Sequence, residues 1–173
     1  YGEDDLAGLD FTQQADIMYL FNESYPIYKL SRTGDTSWTL AAPTIEGGPF
    51  LSPNTGSITV TPDGTTGDIT ITASSALWND NHVGALWQIT HGATTGYVTI
   101  NTVSSTTIVY ATVNETLGDT TATSDWAEGA WSDDQGYPSK GKLYEQRLIV
   151  ACTTNQPVTV WGSVTEEYEN FTA

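Results

Sequence analysis

The sequence is poor in cysteine and in positive charge. Cys152 is the one cysteine among 173 residues, so no disulfide can close within the chain and a cysteine-based zinc site is excluded. Lysine and arginine together number 5, against 21 aspartates and glutamates, which gives a formal net charge of -16. Because tight binding of nucleic acids depends on basic groups that neutralise phosphates, this balance disfavours specific nucleic-acid binding. We attribute the excess of negative charge mainly to solubility.

Long hydrophobic runs are also missing. The sequence contains no charged leader followed by an apolar stretch, and no apolar run approaches the length that spans a bilayer. We therefore expect no membrane insertion. The first residue is Tyr1 rather than methionine, and we expect the chain to be a piece of a longer or processed polypeptide.

The sequence is instead rich in threonine, which occurs in alternating runs. The stretches SITVTP, DITITAS and GYVTINTVSSTTIVYATV place Val, Ile and Tyr between Thr and Ser with a period of two. This period is typical of half-buried antiparallel strands, and clusters of Gly and Pro between the runs indicate turns. No segment of helical length keeps an apolar face, although residues 75–82 are predicted to form one short helical turn with Ser74 or Ser75 as its cap. The predicted fold class is therefore all-β.

The character of the sequence changes twice along the chain. Residues 1–45 contain three apolar segments, ADIMYLFN, PIYKLSR and SWTLAA, which predict a β-meander. Residues 46–130 hold the threonine-rich part without any Lys or Arg, and their strand spacing predicts a small β-barrel or sandwich. Residues 131–173 return to the first style with GKLYEQRLIVACT, a turn at NQP and VTVWGSVT. We therefore predict a small β domain inserted between two propeller-blade-like meanders that pack together.

Patterns that would indicate catalysis are weak. A nucleophile elbow of the Gly-x-Ser-x-Gly type is absent, and both histidines, His82 and His91, lie beside turns where local hydrogen bonding explains them. The oxygen-rich segments WNDNH and SDDQG lack the spacing of a calcium loop, and turn-forming Asx residues account for them. Cys152 lies in the apolar stretch RLIVACTT, which predicts a buried, unreactive strand thiol. We expect no enzymatic activity, no metal and no cofactor.

Carbohydrate is the alternative class of ligand. A glycosidase would need two carboxylates beside a sugar-stacking tryptophan, and acidic residues beside tryptophans are expected by chance in so acidic a chain. Sugar binding without hydrolysis stays open, because exposed tryptophans beside Asn and Asp would stack on a pyranose ring. The tryptophans in question are Trp78, Trp87, Trp126 and Trp131. The alternation in VGALWQI predicts that Trp87 is buried.

Five blocks of the sequence resemble the pattern of a known family. In order they read ADIMYLFNESYPIYKLSRTGDTSWTL, EGGPFL, ITASSALWNDNHVGALWQI, TSDWAEGAWSDDQGYP and EQRLIVACTTNQPVTVWGSVTEEYENF. This ordered set covers the chain from about Ala15 to Phe171. It resembles the tail hub or nozzle proteins, a structural family of short-tailed bacteriophages and related prophages. The long N- and C-terminal parts of such proteins are not in this sequence.

The resemblance implies structural roles for a set of residues and offers no catalytic residue. The aromatic members suit short strands, which cross-strand aromatic packing stabilises. We expect the two arginines of the set to pair with a carboxylate or with exposed carbonyls. The set comprises Tyr25, Pro26, Leu30, Arg32, Trp38, Val83, Gly84, Trp126, Trp131, Gly136, Pro138, Arg147, Leu148, Trp161, Ser163, Tyr168 and Phe171.

The resemblance further implies a virion protein. It predicts a structural subunit of the phage tail, made in the cytoplasm of the bacterial host. Its expected partners are other copies of itself in a ring around the genome-ejection channel, and neighbouring tail proteins. DNA is then passing cargo only, and part of the acidic surface is expected to face its path. The alternative function is that of a carbohydrate-binding β-sandwich, which would recognise a host receptor in a phage or belong to a secreted protein.

Overall fold

The computed structural model describes residues 2–172, and its regular secondary structure is almost entirely β-strand. This finding confirms the predicted all-β class. The strands are β1 (Asp10–Gln14), β2 (Ile17–Asn22), β3 (Tyr25–Gly34), β4 (Ser37–Ala41), β5 (Val60–Pro62), β6 (Asp68–Ala73), β7 (Leu86–His91), β8 (Thr94–Ser105), β9 (Ile108–Glu115), β10 (Trp126–Glu128), β11 (Lys140–Tyr144), β12 (Arg147–Ala151) and β13 (Val160–Gly162).

Helical structure within residues 2–172 is limited to two 3-10 turns. These are η1 (Glu3–Gly8) and η2 (Asp80–His82). In this part of the chain no helix has the length and apolar character needed to cross a membrane.

The chain divides into two compact units. The first unit combines the chain up to Pro49 with the segment from Gln135 onward, and the second unit spans Phe50–Asp134. The boundaries between the two units therefore lie after residues 49 and 134. The sequence predicts them after residues 45 and 130.

The second unit is built on one antiparallel sheet of six strands, in the order β10-β7-β8-β9-β6-β5. Its strands alternate as predicted: in β6, Ile69 and Ile71 are buried and Thr70 between them is partly exposed. The sheet curls until its two edges meet. Val60 of β5 and Thr123, which lies just before β10, exchange backbone hydrogen bonds of 2.9 and 3.0 Å.

The core of the second unit lies inside this curl. Each fully buried aliphatic side chain in it contributes on the order of 1.5–3 kcal/mol to folding, and two tryptophan rings, Trp78 and Trp87, fill its middle. The prediction that Trp87 is buried is confirmed, because its exposed fraction is 0%. The other buried members are Val60, Ile69, Ile71, Ala73, Ile89, Val98, Ile100, Val109, Ala111 and Leu117.

The first unit consists of two meanders, β1-β2-β3-β4 and β11-β12-β13. Strand β11 lies beside β1 and is joined to it by side chains. The Gly141 amide donates to Asp10 Oδ2 at 3.3 Å, and the Leu143 amide donates to Thr12 Oγ1 at 3.2 Å. The ring of Phe21 packs against Gly141, where a side chain would collide with it.

Backbone hydrogen bonds also join the two chain segments of the first unit near the end of the sequence. The Glu46 amide donates to the Glu169 carbonyl at 2.9 Å, and the Phe171 amide donates to the Glu46 carbonyl at 2.8 Å. The Tyr137 amide donates to the Glu23 carbonyl at 3.0 Å. Segments that are far apart in sequence thus share one hydrogen-bond network.

The predicted helical turn over residues 75–82 is wrong in its start and its cap. The helical residues are only Asp80–His82, and the cap is Asn79, whose Oδ1 accepts a hydrogen bond from the Asn81 amide at 2.8 Å. The hydroxyl of Ser74 instead accepts from the amide of Thr59 at 3.0 Å. Ser74 is therefore held by the segment around Thr59, and the side chain of Asn79 caps the start of the helical turn.

The predicted burial of Cys152 in a strand is also wrong. Strand β12 ends one residue earlier, and Cys152 is half-buried with a positive φ of 65°. Its carbonyl accepts hydrogen bonds from the amide and the hydroxyl of Ser139, at 3.1 and 2.9 Å. The chain leaves the strand here because this backbone conformation cannot continue a β-ladder.

The segment GKLYEQRLIVACT contains the two strands β11 and β12. Glu145 and Gln146 form a two-residue loop between β11 and β12, with φ values of 46° and 61°. Positive φ at both central residues is typical of the tightest hairpin turns.

Candidate functional site

The four-stranded sheet of the first unit exposes one face that is largely apolar. Cross-strand pairing places Phe11 opposite Leu20, Met18 opposite Leu30, and Leu30 opposite Leu40. Because residues that face each other across a ladder point to the same side of a sheet, these side chains form one surface. We call it the outer apolar face and define it by Phe11, Met18, Leu20, Tyr28, Leu30, Trp38 and Leu40.

Three members of the outer apolar face are strongly exposed. The exposed fractions are 58% for Phe11, 57% for Trp38 and 51% for Leu40, and the other members are partly exposed. Trp38 and Leu40 belong to β4, all of whose residues are exposed. Strand β4 forms an edge of the sheet, and in the part of the chain that the structure describes its only ladder is with β3. Clustered apolar side chains next to an open strand edge are typical of an interaction surface.

The opposite face of the same sheet packs inside the unit. Tyr19 and Phe21 have exposed fractions of 2% and 0%, and they alternate along β2 with the outer Met18 and Leu20. Strand β2 therefore carries apolar side chains on both faces, as strands covered on both sides do. Among residues 2–172, only one of the two faces of β2 is well covered.

The residues predicted from the resemblance lie in both units. Within the first unit, Trp38 belongs to the outer apolar face, whereas Pro138, Leu148, Ser163 and Phe171 are buried. Tyr25 and Pro26 open β3, and Trp161 lies on β13 opposite Val150. Tyr168 donates its hydroxyl hydrogen bond to Gln14 Oε1 at 2.8 Å. At Gly136 a side chain would collide with Thr154.

The two arginines of this set pair as predicted. Arg32 lies 3.0 Å from Asp35 and 3.6 Å from Asp16, measured between Nη and carboxylate oxygen atoms. Arg147 donates from Nη1 to the carbonyl of Ser163 at 2.7 Å. Both arginines are exposed, so the ion pairs of Arg32 contribute at most about 1 kcal/mol each.

The predicted residues of the second unit are dispersed around its sheet. Val83 is 45% exposed at the end of η2, and Gly84 follows with a φ of 83°, a conformation that favours glycine. Trp131 is half-buried. Trp126 stacks on Trp87 with ring centroids 5.1 Å apart.

The tryptophans considered for sugar stacking are mostly occupied by the protein itself. Trp78 and Trp87 are buried at 2% and 0% exposure, so neither ring presents a face to a ligand in solvent. The half-buried Trp126 donates from Nε1 to the carbonyl of Ile58 at 2.9 Å. A sugar site on these rings would need Trp131 or the remaining edge of Trp126.

A cleft of about 770 Å³ lies in the first unit, beside Lys29 and Glu169. Lys29 Nζ lies 2.6 Å from Glu169 Oε1, and the Tyr19 hydroxyl donates to the same oxygen at 2.9 Å. Burial, and then the hydrogen bond to Glu169, raise the pKa of Tyr19 above its ordinary value. These polar groups satisfy one another, so the arrangement stabilises the fold and contains no nucleophile activated by a base.

One cluster of potential metal ligands lies in the second unit. His82, Glu128 and Asp134 each offer one ligand atom, and these three atoms lie within 4.8 Å of one another. His82 Nε2 is 3.6 Å from Glu128 Oε1, and Asn79 Nδ2 donates to Asp134 Oδ1 at 3.3 Å. The oxygen-rich segments WNDNH and SDDQG, which the sequence analysis treats as separate turns, are thus brought together.

Compared with known proteins, the chain matches no protein-family model and no curated sequence.

Proposed function

We propose that the protein is a structural subunit of the tail of a short-tailed bacteriophage, of the hub or nozzle kind. Further copies of the chain would pack side by side in a ring, next to other tail proteins, around the channel through which the genome leaves. The observation that carries this proposal is the outer apolar face of the first unit. The ordered sequence blocks support the class of assembly, and the role needs no catalytic group.

The energetics of the outer apolar face favour association. Burying the exposed part of Trp38 alone removes on the order of 100 Å² from water, which is worth about 2–3 kcal/mol. Phe11 and Leu40 add comparable exposed apolar area. The open edge of β4 can add backbone hydrogen bonds to a strand of a neighbouring copy. Together these terms offset part of the entropy that a subunit loses when it joins a ring.

The charge distribution supports the proposal that DNA is passing cargo. The net charge is -16, and two of the five basic residues, Lys29 and Arg32, are already paired with carboxylates. A surface of this kind repels phosphates and gains little from counterion release. A genome moving past such a surface would gain little by binding to it.

The test is the mass of the protein in solution as a function of concentration, measured by light scattering on wild type and matched variants. The Trp38→Lys, Leu40→Lys double variant places two charges on the outer apolar face. The control is Tyr110→Lys, which changes a residue of the second unit that is 50% exposed. We expect a ring-sized or concentration-dependent oligomer for wild type and Tyr110→Lys, and a monomer for the double variant.

Two outcomes would contradict the proposal. If the wild-type protein stays monomeric up to millimolar concentration, the outer apolar face does not mediate self-association. Equal oligomerisation of wild type and the double variant would place the interface elsewhere. Circular dichroism spectra should be unchanged in all variants, since the substituted side chains are exposed.

A sugar-binding module is the second candidate, and one feature favours it. Tyr110 borders a shallow depression of about 270 Å³ that Asp63, Asp68 and Asn101 also line. An exposed aromatic ring beside carboxylate and amide groups can stack on a pyranose and bind its hydroxyls. A monomeric wild type that binds a member of a glycan panel, with binding lost in Tyr110→Lys, would favour this function over the structural one.

A further inference from the structure

We infer that the second unit binds one divalent transition-metal ion through His82, Glu128 and Asp134. The three residues come from different segments: His82 ends η2, Glu128 ends β10, and Asp134 is the last residue of the unit. Their potential ligand atoms lie within 4.8 Å of one another. The inference is independent of the proposed role in a phage tail.

The ring of His82 presents its Nε2 atom to this cluster. The His82 side chain is only 6% exposed. Its Nδ1 is held by the backbone of Asn79, 3.0 Å from the amide nitrogen and 3.2 Å from the carbonyl oxygen. Its Nε2 points toward Glu128 Oε1 at 3.6 Å, which is beyond the range of an ordinary hydrogen bond.

The tautomer of His82 decides what Nε2 offers: in one the Asn79 amide donates to Nδ1, and in the other Nδ1–H donates to the Asn79 carbonyl. When Nδ1–H donates to the Asn79 carbonyl, Nε2 presents its lone pair toward the Glu128 carboxylate. Metal-binding histidines almost always donate the N–H of the other ring nitrogen to a carboxylate, a backbone carbonyl or a water, which fixes this second tautomer and orients the ring. Two electron-rich atoms that face each other at 3.6 Å leave room for a cation between them.

Two buried tryptophans fix the imidazole ring from its other sides. Trp78 and Trp87 approach His82 edge-on, with ring centroids 6.0 and 5.6 Å from the imidazole centroid. These apolar walls exclude water from one side of the site. In such surroundings the attraction between a cation and the two carboxylates is stronger than in water.

The ligand set selects the class of metal. One imidazole nitrogen and two carboxylate oxygens suit zinc and its first-row neighbours, whereas calcium prefers six or more oxygen ligands. Zinc bonds of about 2.1 Å at tetrahedral angles separate ligand atoms by roughly 3.4 Å, close to the 3.6 Å between His82 and Glu128. Rotation of the Asp134 side chain would bring the third ligand within range. Water would complete the coordination.

The experiment uses the full chain without a polyhistidine tag, stripped with a chelator and titrated with Zn²⁺ in excess Mg²⁺. We expect one saturable site per chain by calorimetry and a rise in the melting temperature on loading. Co²⁺ should bind the same site and give the visible absorption bands of a low-coordinate ion. His82→Gln and Glu128→Gln should each weaken Zn²⁺ binding at least about tenfold. His91→Gln is the control, and it should bind as wild type does.

Loose binding to the acidic surface gives different results. Displacement of Zn²⁺ by Mg²⁺, a stoichiometry well above one, or equal weakening in His91→Gln would overturn the inference. Unchanged affinity in both His82→Gln and Glu128→Gln would do the same. If His82→Gln fails to fold, Glu128→Gln and Asp134→Asn decide the question, because both keep the shape of the side chain they replace.

Discussion

Replacing Gly141 with alanine tests the packing that joins the two chain segments of the first unit. A Cβ atom at this position would lie far inside ordinary contact distance of three ring carbons of Phe21, and carbon atoms pack best at about 3.5–4.0 Å. Phe21 is fully buried, so its ring cannot move into solvent. The added methyl group must therefore displace a core side chain or push β11 away from β1.

The magnitude follows from two opposing terms. Overpacking a well-filled core costs about 1–3 kcal/mol, and displacement of a completely buried ring belongs near the upper end of that range. Alanine also lowers the conformational entropy of the unfolded chain relative to glycine, which stabilises the folded state by about 0.4–1 kcal/mol. We therefore expect Gly141→Ala to lower the free energy of unfolding by about 2 kcal/mol, a substantial part of the ~5–15 kcal/mol typical of a domain.

The assay is urea unfolding followed by circular dichroism, at a concentration where the protein is monomeric. The matched control is Gly34→Ala, since a Cβ there would meet Ser37 at an ordinary 3.6 Å, and its stability should be unchanged or slightly raised. Phe21→Leu removes part of the ring and makes room for the methyl group. In the double variant Gly141→Ala, Phe21→Leu, the losses should be smaller than the sum of the single losses by about 1 kcal/mol. Strictly additive losses, or a Gly141→Ala variant as stable as wild type, would refute the proposed collision.

Two further predictions concern buried hydrogen bonds of the first unit. Burial and the Glu169 hydrogen bond raise the pKa of Tyr19, so the folded state holds this proton more tightly than the unfolded state does. The resulting stability is present below the ordinary phenol pKa of about 10 and is lost as the pH rises above it. In urea unfolding measured at several pH values, Tyr19→Phe should therefore lose less stability above pH ~10 than wild type does. An equal loss of stability in both proteins at alkaline pH would contradict this prediction. The Ser163 hydroxyl accepts a hydrogen bond from the buried Leu148 amide at 3.0 Å and donates one to the Val164 carbonyl at 2.9 Å. Ser163→Ala should therefore lower the free energy of unfolding by about 1–3 kcal/mol. No measurable change in stability would show that water replaces the hydroxyl.

The strands of this fold were predictable where local pattern decides them. The period of two in DITITAS corresponds to β6, and the apolar segments near the start of the chain correspond to β2, β3 and β4. Strand β1 and the split between β11 and β12 were not predicted. Their turns depend on positive φ at Ala15, Glu145 and Gln146, residues that rarely adopt this conformation and so give no turn signal.

The outer apolar face was only half predictable. The run IMYLF in β2 indicates a strand with apolar side chains on both faces. Nothing in that run distinguishes a face covered by the chain's own strands from one left for another molecule. That distinction depends on where β11 packs, and it packs on the side of Thr12 and Phe21.

The spacing of residues in the sequence could not predict the cluster of potential metal ligands at His82. A calcium loop supplies most of its ligands from one short segment, whereas Asn79 and Asp134, which are hydrogen-bonded here, are 55 residues apart. The curl of the six-stranded sheet brings η2 near the end of β10, and this arrangement depends on long-range strand pairing. When WNDNH and SDDQG are each compared with the calcium-loop motif, both are therefore interpreted as ordinary turns.

The measurement that tests the central claim most directly is the position of this protein in a phage particle. Antibodies raised against the purified chain would be used for immunogold electron microscopy of particles from a culture that produces it. The account predicts gold label on the short tail, around the axis along which the genome leaves. Particles whose tails carry no label, or a protein found only free in the lysate, would contradict it.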